Sequence, residues 1–223
     1  MNSRERILSK LRSASRPFPE VKESAEQLHV VPLEAADQGG LTERFIREAV
    51  KLACQVHPAA GEAQATAELI DLIRAAGRIS CWDSAHIPLP GLAAAIQAAG
   101  NQVTGPEDPQ AQFGITGADA ALAATGSLVL HSGPGRPRAV SLLPPVHIAI
   151  LREDQILPDL ETWLEGRRGA VADAVQRPSN TVIISGPSRT ADISMELVMG
   201  MHGPREVHII LLTYSKIKPA RLV

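Results

Sequence analysis

At 223 residues, with 44% hydrophobic and 21% charged side chains and a formal net charge of −2, the chain has the composition of a globular protein with a real core. With 3% aromatics and no long Lys/Arg run it lacks the basic, aromatic-bearing face of a nucleic-acid binder. Its two cysteines, Cys54 and Cys81, have no CxxC spacing and supply neither a zinc site nor the four thiolates of an iron–sulfur cluster.

No stretch is apolar enough to span a bilayer, and the opening MNSRERILSKLRSASRP has charge but no apolar signal core, so a cytoplasmic protein with reduced thiols is expected. There is no HExxH, and the seven histidines fall at scattered spacings, so neither a metal nor a cofactor is expected.

Residues 3–12 read as a short helix with Ile7, Leu8 and Leu11 at helical spacing and Ser3 as its cap. Residues 13–40, with Pro17, Pro19, Pro32 and Gly39-Gly40, read as an extended connector with a brief strand at 28–32. Residues 1–40 thus form an appended segment and 41–223 one α/β domain.

Helices are expected at 42–53, 64–76 and 92–99, and short extended pieces at 78–82, 102–104 and 113–116. The alanine-rich 118–124 suggests a turn of helix. Three apolar runs, 127–131, 147–151 and 181–185, suit strands buried on both faces, with a helix around 157–166 between the last two. A helix at 191–201 and a strand at 207–212 would complete a βαβ unit after 181–185. The alternation gives a layered α/β fold with a mostly parallel sheet.

Ligands of such sheets bind beyond the carboxyl ends of strands, where glycine turns and helix N-termini offer backbone amides. Two loops qualify. In the first, TVIISGPSRTADIS, Gly186 permits a close approach, and Ser188, Thr190 and the guanidinium fork of Arg189 match a small anion. The alternative is that Thr190 caps a helix, Asp192 answers its dipole and Arg189 is a solvated charge. In the second, Thr125-Gly126-Ser127 precedes a strand and Ser132-Gly133-Pro134-Gly135-Arg136 follows it, offering hydroxyls and the charge of Arg136.

His147 at the start of a strand and His202 in Gly-x-His-Gly-Pro are acid–base candidates; the alternative is a histidine hydrogen-bonded at an element end. No Ser lies in a GxSxG elbow, so no catalytic residue is assigned. The site expected from the residues is a small-anion pocket between loops 116–138 and 185–192.

The runs ADAALAATGSLVL at 118–130, SLLPPVHIAIL at 141–151 and SGPSRTADISMELVMGMHGPREVHIILL at 185–212 resemble the C component of the lactate-utilisation proteins, the LUD-domain family. The resemblance implies a three-layer α/β/α architecture with a mostly parallel sheet, like the NagB/RpiA/CoA-transferase-like fold. It implies a non-redox part in oxidising L-lactate to pyruvate beside iron–sulfur-containing partner subunits. Carried over by position, the motif residues are Thr125, Gly126, Ser127, Pro144, His147, Gly186, Ser188, Arg189, Thr190, Asp192, His202 and Gly203. Ala124 and Ser194 stand where that family often has Glu, which weakens a transferase reading that needs a carboxylate nucleophile. A CoA- or nucleotide-dependent transferase or ligase, and a structural adaptor, remain the alternatives.

Overall fold

A computed structural model describes residues 3–13, 37–74, 77–167, 178–191 and 197–214. Residues 14–36 of the connector, with the expected strand at 28–32, and Asp192 and Ser194 lie outside the described residues. The chain divides into two compact units, 1–30 and 31–223. The first contains helix α1 (Ser3–Ser13), whose Ile7 is exposed.

The second unit opens with α2 (Gln38–Lys51), β1 (Gln55–Ala59), α3 (Glu62–Ile73), β2 (Arg78–Cys81), α4 (Leu92–Ala98), β3 (Gln102–Thr104) and β4 (Phe113–Gly117). There follow β5 (Ala120–Leu122), β6 (Ser127–Ser132), β7 (Val146–Arg152), β8 (Ile156–Leu157) and α5 (Leu160–Arg167). Last come β9 (Asn180–Ile184), β10 (Arg189–Ala191), β11 (Leu197–Met199) and β12 (Glu206–Leu212).

Six strands form an all-parallel sheet in the order β1-β12-β7-β4-β2-β3. Its centre is apolar on both faces: Ile148, Ala149, Ile150 and Leu151 of β7 and Ile209, Ile210 and Leu211 of β12 are fully buried. This is the expected α/β fold with a mostly parallel central sheet.

Helix α2 begins four residues before the expected start because Asp37 caps it, accepting the Gly40 amide at 2.8 Å. It buries Leu41, Phe45 and Ala49, spaced four apart. It ends at Lys51, and Ala53 turns left-handed at φ +64°. β1 was not expected: Gln-Val-His-Pro-Ala carries no apolar alternation, and its Pro58 is tolerated because β1 is an edge strand.

Three expectations need correction. The alanine run 118–124 is not helical. Ala120–Leu122 form β5, buried and paired on both sides, with β6 and β8. The 181–185 strand is not in the parallel sheet either. It is β9, the edge of a second sheet in the order β8-β5-β6-β9, with Ile183 45% exposed.

Where a helix was expected at 191–201, the described residues instead contribute to an antiparallel pair, β10 and β11, registered Arg189 to Met199 and Thr190 to Val198. Gly200 at φ +77° donates its amide to the Ser188 carbonyl at 2.9 Å and closes the pair. The βαβ unit therefore does not exist: β9 and β12 lie in different sheets. Among the described residues, no helix is long and apolar enough to cross a membrane.

Candidate functional site

Strand β6 carries the expected site residues at its two ends. Ser127 and Ser132 are separated by five residues of extended chain, about 17 Å.

At the Ser127 end, Thr125 donates to Ser127 Oγ at 2.9 Å, and Ser127 shares a 2.8 Å hydrogen bond with Ser185 at the end of β9. Loops 125–127 and 185–189 thus meet, and both press on the C-terminal end of α2. Gly126, at φ +69°, is so close to α2 that a Cβ would run into the backbone of Glu48 and Ala49. Gly186, at φ +92°, stands likewise against the Leu52 carbonyl. Arg189 donates from Nη2 to that same carbonyl at 2.7 Å, capping the helix where its dipole is negative. These two glycines and this arginine are engaged by α2.

Ser188 is a backbone hub: its amide donates to the Pro204 carbonyl at 2.8 Å, and its Oγ accepts the His202 amide at 3.4 Å. His202 is exposed, Gly203 packs beside Ser188, and Thr190 pairs across to Val198. The neighbouring Cys54 thiol is pushed up to about 11 by burial, with Arg189 pulling weakly the other way. Burial likewise pushes Cys81 up to about 11, so both thiols are poor nucleophiles at neutral pH.

His147 sits at neither end. It lies in β7 with no exposed surface, shares a 2.9 Å hydrogen bond with Thr116 through Nε2, and its Nδ1 has no partner. Burial lowers its pKa to about 4, so it is a neutral imidazole of the sheet.

At the Ser132 end, Arg136 donates from Nη1 to Asp119 Oδ1 at 2.8 Å. The same carboxylate oxygen lies 2.9 Å from His131 Nδ1, and Oδ2 accepts the His131 amide at 2.7 Å. Burial alone would raise the Asp119 pKa, but the hydrogen bonds from His131 and the charges of His131 and Arg136 prevail and hold it low. His131 is 2% exposed and stacks on Trp163 of α5 with ring centroids 5.7 Å apart. Its Nε2 and the Nε of Arg136 are buried without a partner.

The LUD domain family profile matches residues 42–212. The chain belongs to the LUD domain family. Lactate utilization protein C of Halalkalibacterium halodurans is 44% identical over 103 residues, 46% of this chain and 45% of that protein. Lactate utilization protein C of Bacillus subtilis is 41% identical over 104 residues, 47% of this chain and 43% of that protein. An uncharacterised protein of Neisseria meningitidis serogroup B is 39% identical over 109 residues, 49% and 46% of the two chains. The matches thus span a little under half the length of these relatives. A crystal structure of a DUF162 family protein from Deinococcus radiodurans superposes with a TM-score of 0.61 at 22% identity, over 80% of this chain and 99% of that one. It shares the fold.

Within this LUD domain, sequence reasoning singled out Arg136 but missed Asp119 and His131. The Asp sits in an alanine run and the His ends an apolar strand, so neither carries a local motif. Their strand positions held the only available signal: both flank the end of a strand, where α/β folds place chemistry. Among the described residues, no group of three or more His, Cys, Asp or Glu is placed to hold a metal ion.

Proposed function

We propose that this protein is a non-redox component of a lactate-utilising system that binds a small anion, L-lactate or pyruvate, within the loops 116–138 and 185–192. The observation that carries the reading is the 41–44% identity to proteins named lactate utilization protein C over a matched hundred-residue stretch. The resemblance to the lactate-utilisation proteins implies iron–sulfur-containing partner subunits that take the electrons of lactate oxidation. Arg136 keeps a buried Nε–H without a partner, a donor of the kind a carboxylate needs.

Thermal unfolding of the full chain against L-lactate, pyruvate, CoA and ATP tests the reading. A ligand that binds only the folded state at a hundred times its Kd adds about 2.7 kcal/mol. For a chain of this size that raises the midpoint by roughly 5–10 °C. We expect that rise with L-lactate or pyruvate. A rise with CoA or ATP alone would replace the reading with a transferase or ligase, and no rise with any of them would favour an adaptor.

A further inference from the structure

The parallel sheet has one topological switch. From β2 the chain crosses through α4 to β3 at the sheet edge, whereas from β4 it leads through β5 and β6 to β7 on the other side. The connections diverge between the adjacent carboxyl ends of β2 and β4, the place where open α/β sheets bind their ligands. Asp119 lies two residues beyond β4. The turn bearing Arg136 spans this crevice: the Gly135 carbonyl accepts the Asp83 amide, just past β2, at 2.9 Å. Gly133 and Arg136 close the turn with reciprocal backbone hydrogen bonds of 2.9 and 3.2 Å.

The groups held there have defined polarity. In the neutral imidazole, Asp119 at His131 Nδ1 selects the tautomer with its hydrogen on that nitrogen, in which Nε2 is the acceptor. Arg136 is anchored through Nη1, which leaves its Nε as a donor without a partner. Two buried polar atoms left unpaired are destabilising, and a ligand supplying both partners removes that cost.

We propose that Asp119, His131 and Arg136 form a subsite for a 2-hydroxy acid, in which Arg136 takes the carboxylate, His131 Nε2 accepts the hydroxyl hydrogen, and Asp119 holds both groups. An O–H beside an anionic oxygen is the chemistry that this acceptor–donor pair matches. Hydrogenphosphate offers it too, but the Asp119 carboxylate disfavours its second negative charge. The proposal rests on the lactate-utilisation reading for a small acid as ligand, and sets that acid at the end of β4 rather than at the 185–189 loop.

The test is histidine-ring nitrogen NMR on the full-length protein, with His131→Gln used to assign the signals. Titration with L-lactate is expected to move the His131 Nε2 resonance. Propionate, which lacks the hydroxyl, is expected to bind roughly tenfold more weakly. Asp119→Asn should abolish that preference, and Arg136→Gln should weaken both acids. If L-lactate raises the melting temperature yet leaves the His131 signals in place, the acid binds elsewhere. That overturns this proposal and leaves the lactate-utilisation reading standing. Phosphate binding more tightly than L-lactate at His131 would overturn the choice of ligand, and binding by no acid at all would overturn both readings.

Discussion

His147 shows how one residue type reads differently in sequence and in space. A histidine opening an apolar strand after Pro144-Pro145 suggests a pocket-lining acid or base, yet it lies wholly inside the sheet against Thr116. Its titration then becomes a matter of stability. An unfolded histidine binds its proton near pH 6.5, whereas burial delays protonation of His147 to about pH 4. Between those values the unfolded chain holds the extra proton, so stability is full above about pH 7 and falls with pH. The expected loss between pH 7.5 and pH 5 is about 2 kcal/mol from this residue. Burial lowers the pKa of His57 and His208 as well and adds to the same slope. Urea unfolding at a series of pH values measures it, and His147→Gln should flatten the slope whatever its effect on stability at pH 7.5. An unchanged slope in that variant would remove His147 as a source. At this scale the sequence exposed residue types well and their partners poorly: Arg136 was visible as a charge, but Asp119 is seventeen positions away from it and was invisible as its anchor.

Among the elements, those with strong periodicity or β-branched runs were legible, including α2, β6, β7 and β12. Those whose conformation comes from neighbours were not. The alanines of β5 have helical propensity, but pairing on both sides makes them a strand. Residues 189–191 and 197–199 pair as two antiparallel strands, and the Gly200 amide extends the pairing to the Ser188 carbonyl. The glycine turns were legible as places of close approach, and what approaches is α2. This gives a sharp contrast between two glycines that flank the same strand. Gly126 has φ +69° and the backbone of α2 where a Cβ would go, whereas Gly133 has open space. Gly126→Ala combines left-handed strain with a clash against main chain that cannot swing aside, a loss of about 3 kcal/mol. That is a fall of roughly 6–12 °C in the unfolding midpoint. Gly133→Ala should stay within about 0.5 kcal/mol of the parent. Equal midpoints for the two variants in a thermal scan would show that the 125–127 loop does not depend on its seat against α2.

For the whole molecule, the alternation of helix and strand made the α/β class readable, and the runs at 118–151 and 185–212 fall inside the stretch, 42–212, that the LUD profile matches. Strand order was not readable. It depends on which way each crossover turns, and β1 and β12, neighbours in the sheet, stand at opposite ends of the domain's sequence. The same closure bears on autonomy. Every buried apolar residue among those described lies between Leu41 and Leu212, within the unit 31–223. A chain lacking residues 1–30 gives up none of those buried side chains, and stability follows apolar area removed from water. Its unfolding midpoint is therefore expected within about 2 °C of the full chain, since a single kcal/mol moves the midpoint by roughly 2–4 °C at this size. A fall well beyond that, or loss of a cooperative transition, would show that the N-terminal unit stabilises the LUD domain.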